Sequence, residues 1–240
     1  MYAFEPTTTI TNAACEPEIV DLANFLNVCG ARVVGAGTSF ISITGVKRLH
    51  TTQYEPIPDR IVAGSYLAFC AINNGKIRLD NAIANDLVEP INVLKQMGCD
   101  VLTSPNAIKL QAPERLKAVN RIRTNPYPDF PTDLQSIFMS LLAVSEGKSV
   151  IEENVFENRF HNAGEINKLG GKVDNFRLTS GIGDGGRALG EHACHHNVFS
   201  CSHAGEFEID VCRVHICAVA EHKVLFFADD HTHLAQGVKV

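Results

Sequence analysis

Two hydrophobic periodicities alternate along the first 170 or so residues of the chain. Apolar residues recur at the spacing of one helical face in a first segment, at Ile19, Leu22, Ala23 and Leu26. A second segment shows the same spacing at Leu87, Ile91 and Leu94. Each is followed by a pair of short strand-like runs, 32–34 with 40–43 and 100–103 with 107–110. This alternation predicts a mixed α/β protein.

The same order of elements occurs three times, with a period of about 70 residues. Each copy begins as a short strand that ends at an asparagine: Asn12, Asn81 or Asn154. Each continues through a helix that stops at a glycine: Gly30, Gly98 or Gly170. Glycine accepts the left-handed conformation that commonly follows a helix end. The pattern therefore predicts a repeated strand–helix–strand–strand unit.

A further helix precedes the second and third copies, over Asp59–Ile72 and Asp133–Val144. Apolar residues surround nearly all sides of the later helix, which predicts that it is buried. The segment Arg115–Pro131 holds three prolines and reads as a long surface loop of the kind that often carries function. Asp133 comes two residues after Pro131, where the helix is predicted to begin. Its carboxylate is either an ordinary helix cap or a fixed, ionised group for proton transfer or for holding a sugar hydroxyl.

Composition narrows the classes of partner. The 240 residues are 45% apolar and carry a formal net charge of −6, which argues against nucleic acid or an anionic membrane as the main partner. No apolar run is long enough to span a membrane, and no signal peptide is visible, so we expect the cytoplasm. Cys29, Cys70 and Cys99 lie among apolar residues and are expected to be buried thiols rather than disulfides.

Four motifs stand in one order along the chain: EPEIVD (Glu16–Asp21), PDRIVAG (Pro58–Gly64), FPTDLQ (Phe130–Gln135) and VFENRF (Val155–Phe160). Together they resemble the UDP-N-acetylglucosamine enolpyruvyl transferases over residues from about Thr8 to about Val173. The resemblance implies the EPSP synthase-like fold, an inside-out α/β barrel of βαβαββ units, here incomplete. It also implies transfer of the enolpyruvyl group of phosphoenolpyruvate to the 3′-hydroxyl of UDP-N-acetylglucosamine, in a cleft between two domains.

The resemblance assigns roles to three residues. Asp133 is expected to contact the sugar and to act as, or assist, the catalytic base. Val155 is expected to touch the nucleotide sugar. Arg159 either faces the cleft and balances anionic charge or makes a structural ion pair. Asp59 and Arg60 are predicted to be structural, at the start of their helix.

The chain also departs from the family. No counterpart is visible for the family's catalytic cysteine loop or its phosphate-binding Lys and Arg residues, Cys15 replaces an arginine before EPE, and His161–Asn162 replaces a Met–His pair. We therefore expect this chain by itself not to catalyse the transfer. A partner supplying the missing half, and self-association through exposed apolar surface, both stay open. The alternatives for function are a non-catalytic nucleotide-sugar-binding or regulatory module, and the sister 3-phosphoshikimate 1-carboxyvinyltransferase.

Residues 174–240 are predicted to lie outside the family fold, which leaves 1–173 as the repeat region. The third pair of strands is expected to begin weakly in NFRLTSG (175–181) and then to disappear. Eight of the ten histidines fall between His192 and His233. One interpretation is a zinc site, with ligands from Cys194, His195, His196, Cys201 and His203. A second is a dinucleotide loop at Gly181, Gly183 and Gly186. We favour a third, a shifted reading frame, a wrong exon or a degenerate terminus, and predict neither metal nor cofactor.

Overall fold

The computed structural model describes residues 6–157, 159–177 and 197–202, with the backbone alone for 175–177 and 197–202. These residues belong to one compact unit, Met1–His203. The α-helices are α1 (Pro17–Val28), α2 (Arg60–Ile72), α3 (Val88–Gln96), α4 (Gln135–Ala143) and α5 (His161–Lys168). The first strands are β1 (Thr7–Thr11), β2 (Arg32–Val34), β3 (Phe40–Thr44), β4 (Lys76–Asp80) and β5 (Asp100–Ser104). The later strands are β6 (Ala107–Gln111), β7 (Arg121–Thr124), β8 (Lys148–Glu153), β9 (Val173–Arg177) and β10 (Asn197–Ser202).

Each repeat forms its own sheet, and the three sheets share one strand order. In the first, β3 lies between β1 and β2; in the second, β6 lies between β4 and β5, with all pairs antiparallel. In the third, β10 lies between β8 and β9. The predicted repeat is thus confirmed, since the last strand of every copy inserts between the first two.

The turns after the first strand and after the helix explain why asparagine and glycine recur in the repeats. Asn12 and Asn81 take the left-handed conformation directly after β1 and β4, with φ of 54° and 56°. Gly30, Gly98 and Gly170 have φ between 94° and 98° just beyond their helices. A residue with a Cβ is disfavoured at such an angle, which explains the glycine at these three positions.

Two predicted features of the third copy need correction. Arg115–Pro131 is not a continuous loop, because it contains β7, which pairs in parallel with β8 and buries Ile122. Four residues with arginines on the exposed face give too short a pattern to recognise. The third strand pair, expected to disappear after β9, is completed by β10. Its distance in sequence from β9 hides the pairing. The boundary at residue 174 stays a prediction.

The buried apolar residues between Leu67 and Val173 form one core, and α4 is buried in it, as predicted. Leu134, Phe138 and Met139 have no exposed surface, and the Phe130 and Phe138 rings meet edge to face with centroids 5.0 Å apart. The first repeat contributes only three buried apolar residues, Ala23, Cys29 and Ile41, and none belongs to this core. Leu22, which lies on the apolar face of the first helix, is 52% exposed.

Candidate functional site

The carboxylate of Asp133 lies at the start of α4 but does not cap it. Asp133 belongs to a short 3-10 turn, Thr132–Leu134, that leads into the helix. Its Oδ1 accepts hydrogen bonds from the Arg159 guanidinium, at 3.4 Å from Nη1 and 3.3 Å from Nη2. The cap interpretation is therefore wrong. The carboxylate is held instead from across the fold, by a residue of the second site motif.

Arg159 is fixed by more than this ion pair. Its Nη1 donates to the backbone oxygen of Thr132 at 2.7 Å and to the Thr132 hydroxyl oxygen at 3.1 Å. Its guanidinium also lies 4.8 Å from the centroid of the Phe156 ring. A guanidinium group is planar and has several N–H donors, so it can bind a carboxylate, a backbone oxygen and an aromatic ring at the same time. Arg159 thus forms an ion pair with Asp133 that ties the FPTDLQ and VFENRF motifs together, and its role toward an anionic substrate stays a prediction.

Glu153, the last residue of β8, was missed by sequence reasoning. It is 1% exposed, and its Oε2 accepts a hydrogen bond from the Thr132 hydroxyl at 2.9 Å. Its Oε1 accepts from the backbone N–H groups of Val155 at 2.9 Å and Phe156 at 3.0 Å. Val155, the third predicted site residue, is 37% exposed and lies on this turn. The sequence signal that could have identified Glu153 is an acidic residue at the end of an apolar strand.

Arg60 and Glu18 form an ion pair close to this region. Arg60 is 9% exposed and donates to both carboxylate oxygens of Glu18, from Nε at 3.2 Å and from Nη2 at 3.0 Å. Burial alone would raise the pKa of Glu18, but the hydrogen bond and charge of Arg60 outweigh it and lower that pKa. Burial alone would lower the pKa of Arg60, yet Glu18, with smaller contributions from Glu16 and Asp133, raises it.

The helix start beside this pair matches the structural role predicted for the PDR motif. Asp59 caps α2, its Oδ1 accepting from Ile61 N at 2.8 Å and Val62 N at 3.0 Å. The Arg60 guanidinium lies 5.5 Å from the centroid of the Tyr127 ring. Burial raises the pKa of the Tyr127 hydroxyl. Since the charge of Asp133 is among those that raise the pKa of Arg60, α2 contributes a buried positive charge within electrostatic range of the candidate site.

A separate groove of about 330 Å³ runs beside α1. Its lining is Glu18, Asp21, Leu22, Phe25, Tyr54 and Pro56. The Tyr54 hydroxyl donates to Asp21 Oδ1 at 2.8 Å, and the Phe25 and Tyr54 rings meet edge to face. The groove includes none of Asp133, Val155 or Arg159.

Neither metal nor membrane features mark the part of the chain that the structure describes. Within it, no three His, Cys, Asp or Glu side chains are grouped to hold a metal ion. No helix of that part has the length and apolarity to cross a bilayer. The candidate zinc and dinucleotide residues, Gly181, Gly183, Gly186, Cys194, His195, His196 and His203, lie outside the described residues. Cys201 lies in β10, where only the backbone is described.

Comparison with known proteins gives consistent matches. The chain is 48% identical over 166 residues to UDP-N-acetylglucosamine 1-carboxyvinyltransferase 2 of Caldanaerobacter subterraneus subsp. tengcongensis, which covers 69% of this chain and 40% of that protein. It is 46% identical over 169 residues to UDP-N-acetylglucosamine 1-carboxyvinyltransferase of Halothermothrix orenii, covering 70% and 40%. The chain thus spans about 40% of the length of these curated relatives.

The fold has a solved counterpart in the enolpyruvyl transferase NikO from Streptomyces tendae. The two superpose with a TM-score of 0.63 at 21% identity, over 83% of this chain and 43% of NikO. The family model described as EPSP synthase (3-phosphoshikimate 1-carboxyvinyltransferase) matches residues 1–193. The repeat architecture, the motifs and these matches together establish that the chain belongs to the EPSP synthase family of enolpyruvyl transferases.

Proposed function

We propose that the chain serves the transfer of the enolpyruvyl group from phosphoenolpyruvate to the 3′-hydroxyl of UDP-N-acetylglucosamine, the first committed step of peptidoglycan synthesis. The observation that carries the proposal is the pairing of Asp133 with Arg159 beside Val155, on the two motifs that resemble this enzyme. The relatives at 46–48% identity bear the corresponding name. In this role the protein acts in the cytoplasm and supports cell shape and division through the cell wall.

The geometry at Asp133 suits a group that accepts a proton from a hydroxyl. Asp133 is 55% exposed, and Arg159 occupies its Oδ1. Within the described residues its Oδ2 has no hydrogen-bond partner, so this oxygen is open to a substrate hydroxyl. A carboxylate held by one oxygen and open at the other is oriented toward an incoming hydroxyl.

The chemistry assigns Asp133 one proton transfer. As the sugar oxygen bonds to C2 of phosphoenolpyruvate, its hydroxyl proton passes to Asp133 or to a group that Asp133 orients, while an acid protonates the methylene carbon. Loss of phosphate and of a methyl proton then restores the double bond. Val155 contacts the nucleotide sugar in this scheme, and Arg159 balances the charge of Asp133 and of the anionic substrate.

We further propose that the 240 residues by themselves bind the nucleotide sugar without turning it over. Cys29, Cys70 and Cys99 are buried, and Cys15 is half-buried with its thiol directed at the backbone oxygen of Ala13. None of these four thiols is fully exposed. A partner that supplies the remaining part of the cleft would restore turnover.

Calorimetric titration of the full chain with UDP-N-acetylglucosamine tests the proposal. Saturable binding is expected, weakened about 10- to 100-fold by Asp133→Asn, because a charge-assisted hydrogen bond contributes about 1.5–3 kcal/mol. Asp80→Asn is the matched control, since Asp80 is 69% exposed and pairs with Arg78. Tighter binding of shikimate 3-phosphate would favour the sister synthase instead. Phosphate release from phosphoenolpyruvate above background would contradict the proposed lack of turnover.

A further inference from the structure

The buried carboxylate of Glu153 has no cationic partner among the described residues. Glu152, its neighbour on β8, pairs with Arg121 and Arg123, whereas Glu153 accepts three hydrogen bonds from the uncharged donors of Thr132, Val155 and Phe156. An ionised carboxylate removed from water costs several kcal/mol unless such bonds replace its hydration. A leucine or methionine would fill the same space without that cost. The presence of a glutamate at this position is therefore explained by the hydrogen bonds that its two carboxylate oxygens accept.

The two oxygens of Glu153 serve the two site motifs separately. Oε1 holds the turn that presents Val155, while Oε2 holds the hydroxyl of Thr132. The Thr132 oxygen in turn accepts from Arg159 Nη1, and Arg159 binds Asp133. One side chain thus sets the position of Val155 directly and that of Asp133 through two further hydrogen bonds.

The other two repeats provide an internal comparison. Thr11 and Asp80 occupy the position of Glu153, directly before the asparagine that ends the first strand of each copy. Both are exposed, and Asp80 pairs with Arg78 of its own strand. Asn12 and Asn81 are left-handed, whereas Asn154 is not, and its N–H donates to the Thr124 hydroxyl at 3.0 Å. The buried acid and the altered turn therefore occur together, in the one copy that carries the candidate site.

We propose that Glu153 is a positioning residue for the nucleotide sugar. It fixes the distance between the open Oδ2 of Asp133 and the turn that carries Val155. This inference rests on the proposed function. The side chain does not touch the substrate. It restricts the movement of Asp133 and of the Val155 turn, which do contact the substrate in this proposal. Preorganisation of this kind contributes to affinity by lowering the entropy lost on binding.

The test is a double-mutant cycle measured by calorimetry with UDP-N-acetylglucosamine on the full chain. Glu153→Gln keeps the size of the side chain and one carbonyl acceptor, but loses the charge and the acceptor for Thr132. We expect it to weaken binding about tenfold. In the Asp133→Asn background the same change should have little further effect, because the group that it positions is already impaired. Glu165→Gln, which alters an exposed acid of α5 paired with Lys168, is the matched control.

A second pair of variants leaves the buried acid in place. Thr132→Val removes the hydroxyl that joins Glu153 to Arg159, and Thr132→Ser retains it. Thr132→Val should weaken binding about as much as Glu153→Gln, and Thr132→Ser should restore it. Urea denaturation of each variant identifies any loss of affinity that follows from unfolding.

The possible outcomes distinguish a failure of the positioning role of Glu153 from a failure of the proposed function. No binding by the unaltered chain overturns both. Normal binding by the unaltered chain together with undiminished binding by Glu153→Gln or Thr132→Val overturns the positioning role alone. The same holds if Glu153→Gln weakens binding by equal factors with and without Asp133, because the two residues then act independently.

Discussion

Gly64 of α2 lies directly against Leu134, so a methyl group at this position is expected to disturb the start of α4. A Cβ on Gly64 would lie 2.5 Å from Leu134 Cδ1 and 3.2 Å from Cδ2. The Leu134 side chain has no exposed surface and cannot turn into solvent. The residue before it is Asp133. Gly64→Ala should therefore reduce the stability of the chain.

The expected magnitude is the difference between two opposing effects. Replacing a helical glycine by alanine stabilises by about 1 kcal/mol through helix propensity. Overpacking a filled core costs about 1–3 kcal/mol. A separation of 2.5 Å is too short for any Cβ contact, which places the cost in the upper part of that range. The net loss in unfolding free energy is then about 1–2 kcal/mol.

Gly164 of α5 supplies the matched control, since a Cβ there meets nothing within 4 Å. Gly164→Ala should stabilise by up to about 1 kcal/mol, through propensity alone. Urea denaturation followed by circular dichroism compares the two variants through their midpoints at equal slope. If Gly64→Ala stabilises the chain as much as Gly164→Ala does, the packing argument is refuted.

Two further predictions concern ionisation. Glu18 has a lowered pKa in the folded chain, so its stabilisation is present above the unfolded value of 4.5 and is lost as the pH falls through the folded value. Since Glu18 is 55% exposed, the difference in unfolding free energy between the chain and Glu18→Gln should be below about 1 kcal/mol at neutral pH and vanish in acid; a constant difference would contradict this. Burial raises the pKa of Cys99 to about 11, so at neutral pH iodoacetamide followed by peptide mass spectrometry should find Cys15 alkylated before Cys99, and the reverse order would contradict this.

The parts of the fold that follow from local chemistry were predictable from sequence. A left-handed turn after a helix selects glycine, so Gly30, Gly98 and Gly170 reveal the repeat. The burial of α4 was also predictable, because apolar residues cover nearly its whole circumference. Strand β7 was not, because four residues with two exposed arginines carry too little pattern. Strand β10 was hidden by its distance in sequence from its partners.

Part of the candidate site was likewise predictable from the sequence, and part was not. The motifs identified Asp133 and Arg159, but a sequence does not show that one binds the other, because their contact joins residues from separate repeat elements. The same limit applies to Glu153. Whether an acid at a strand end is solvated, like Asp80, or buried depends on what packs over it, and here that is the Thr132 turn.

The small share of the first repeat in the apolar core has a consequence for dynamics. Its α1 contacts the following segment through the ion pair of Glu18 with Arg60, the hydrogen bond of Tyr54 to Asp21 and the edge-to-face rings of Phe25 and Tyr54. Segments with few buried apolar contacts open at a lower free energy than the core around them. The first repeat is therefore expected to unfold locally while α4 and β8 stay closed. The candidate site at Asp133 and Glu153 would then keep its structure while the first repeat is open.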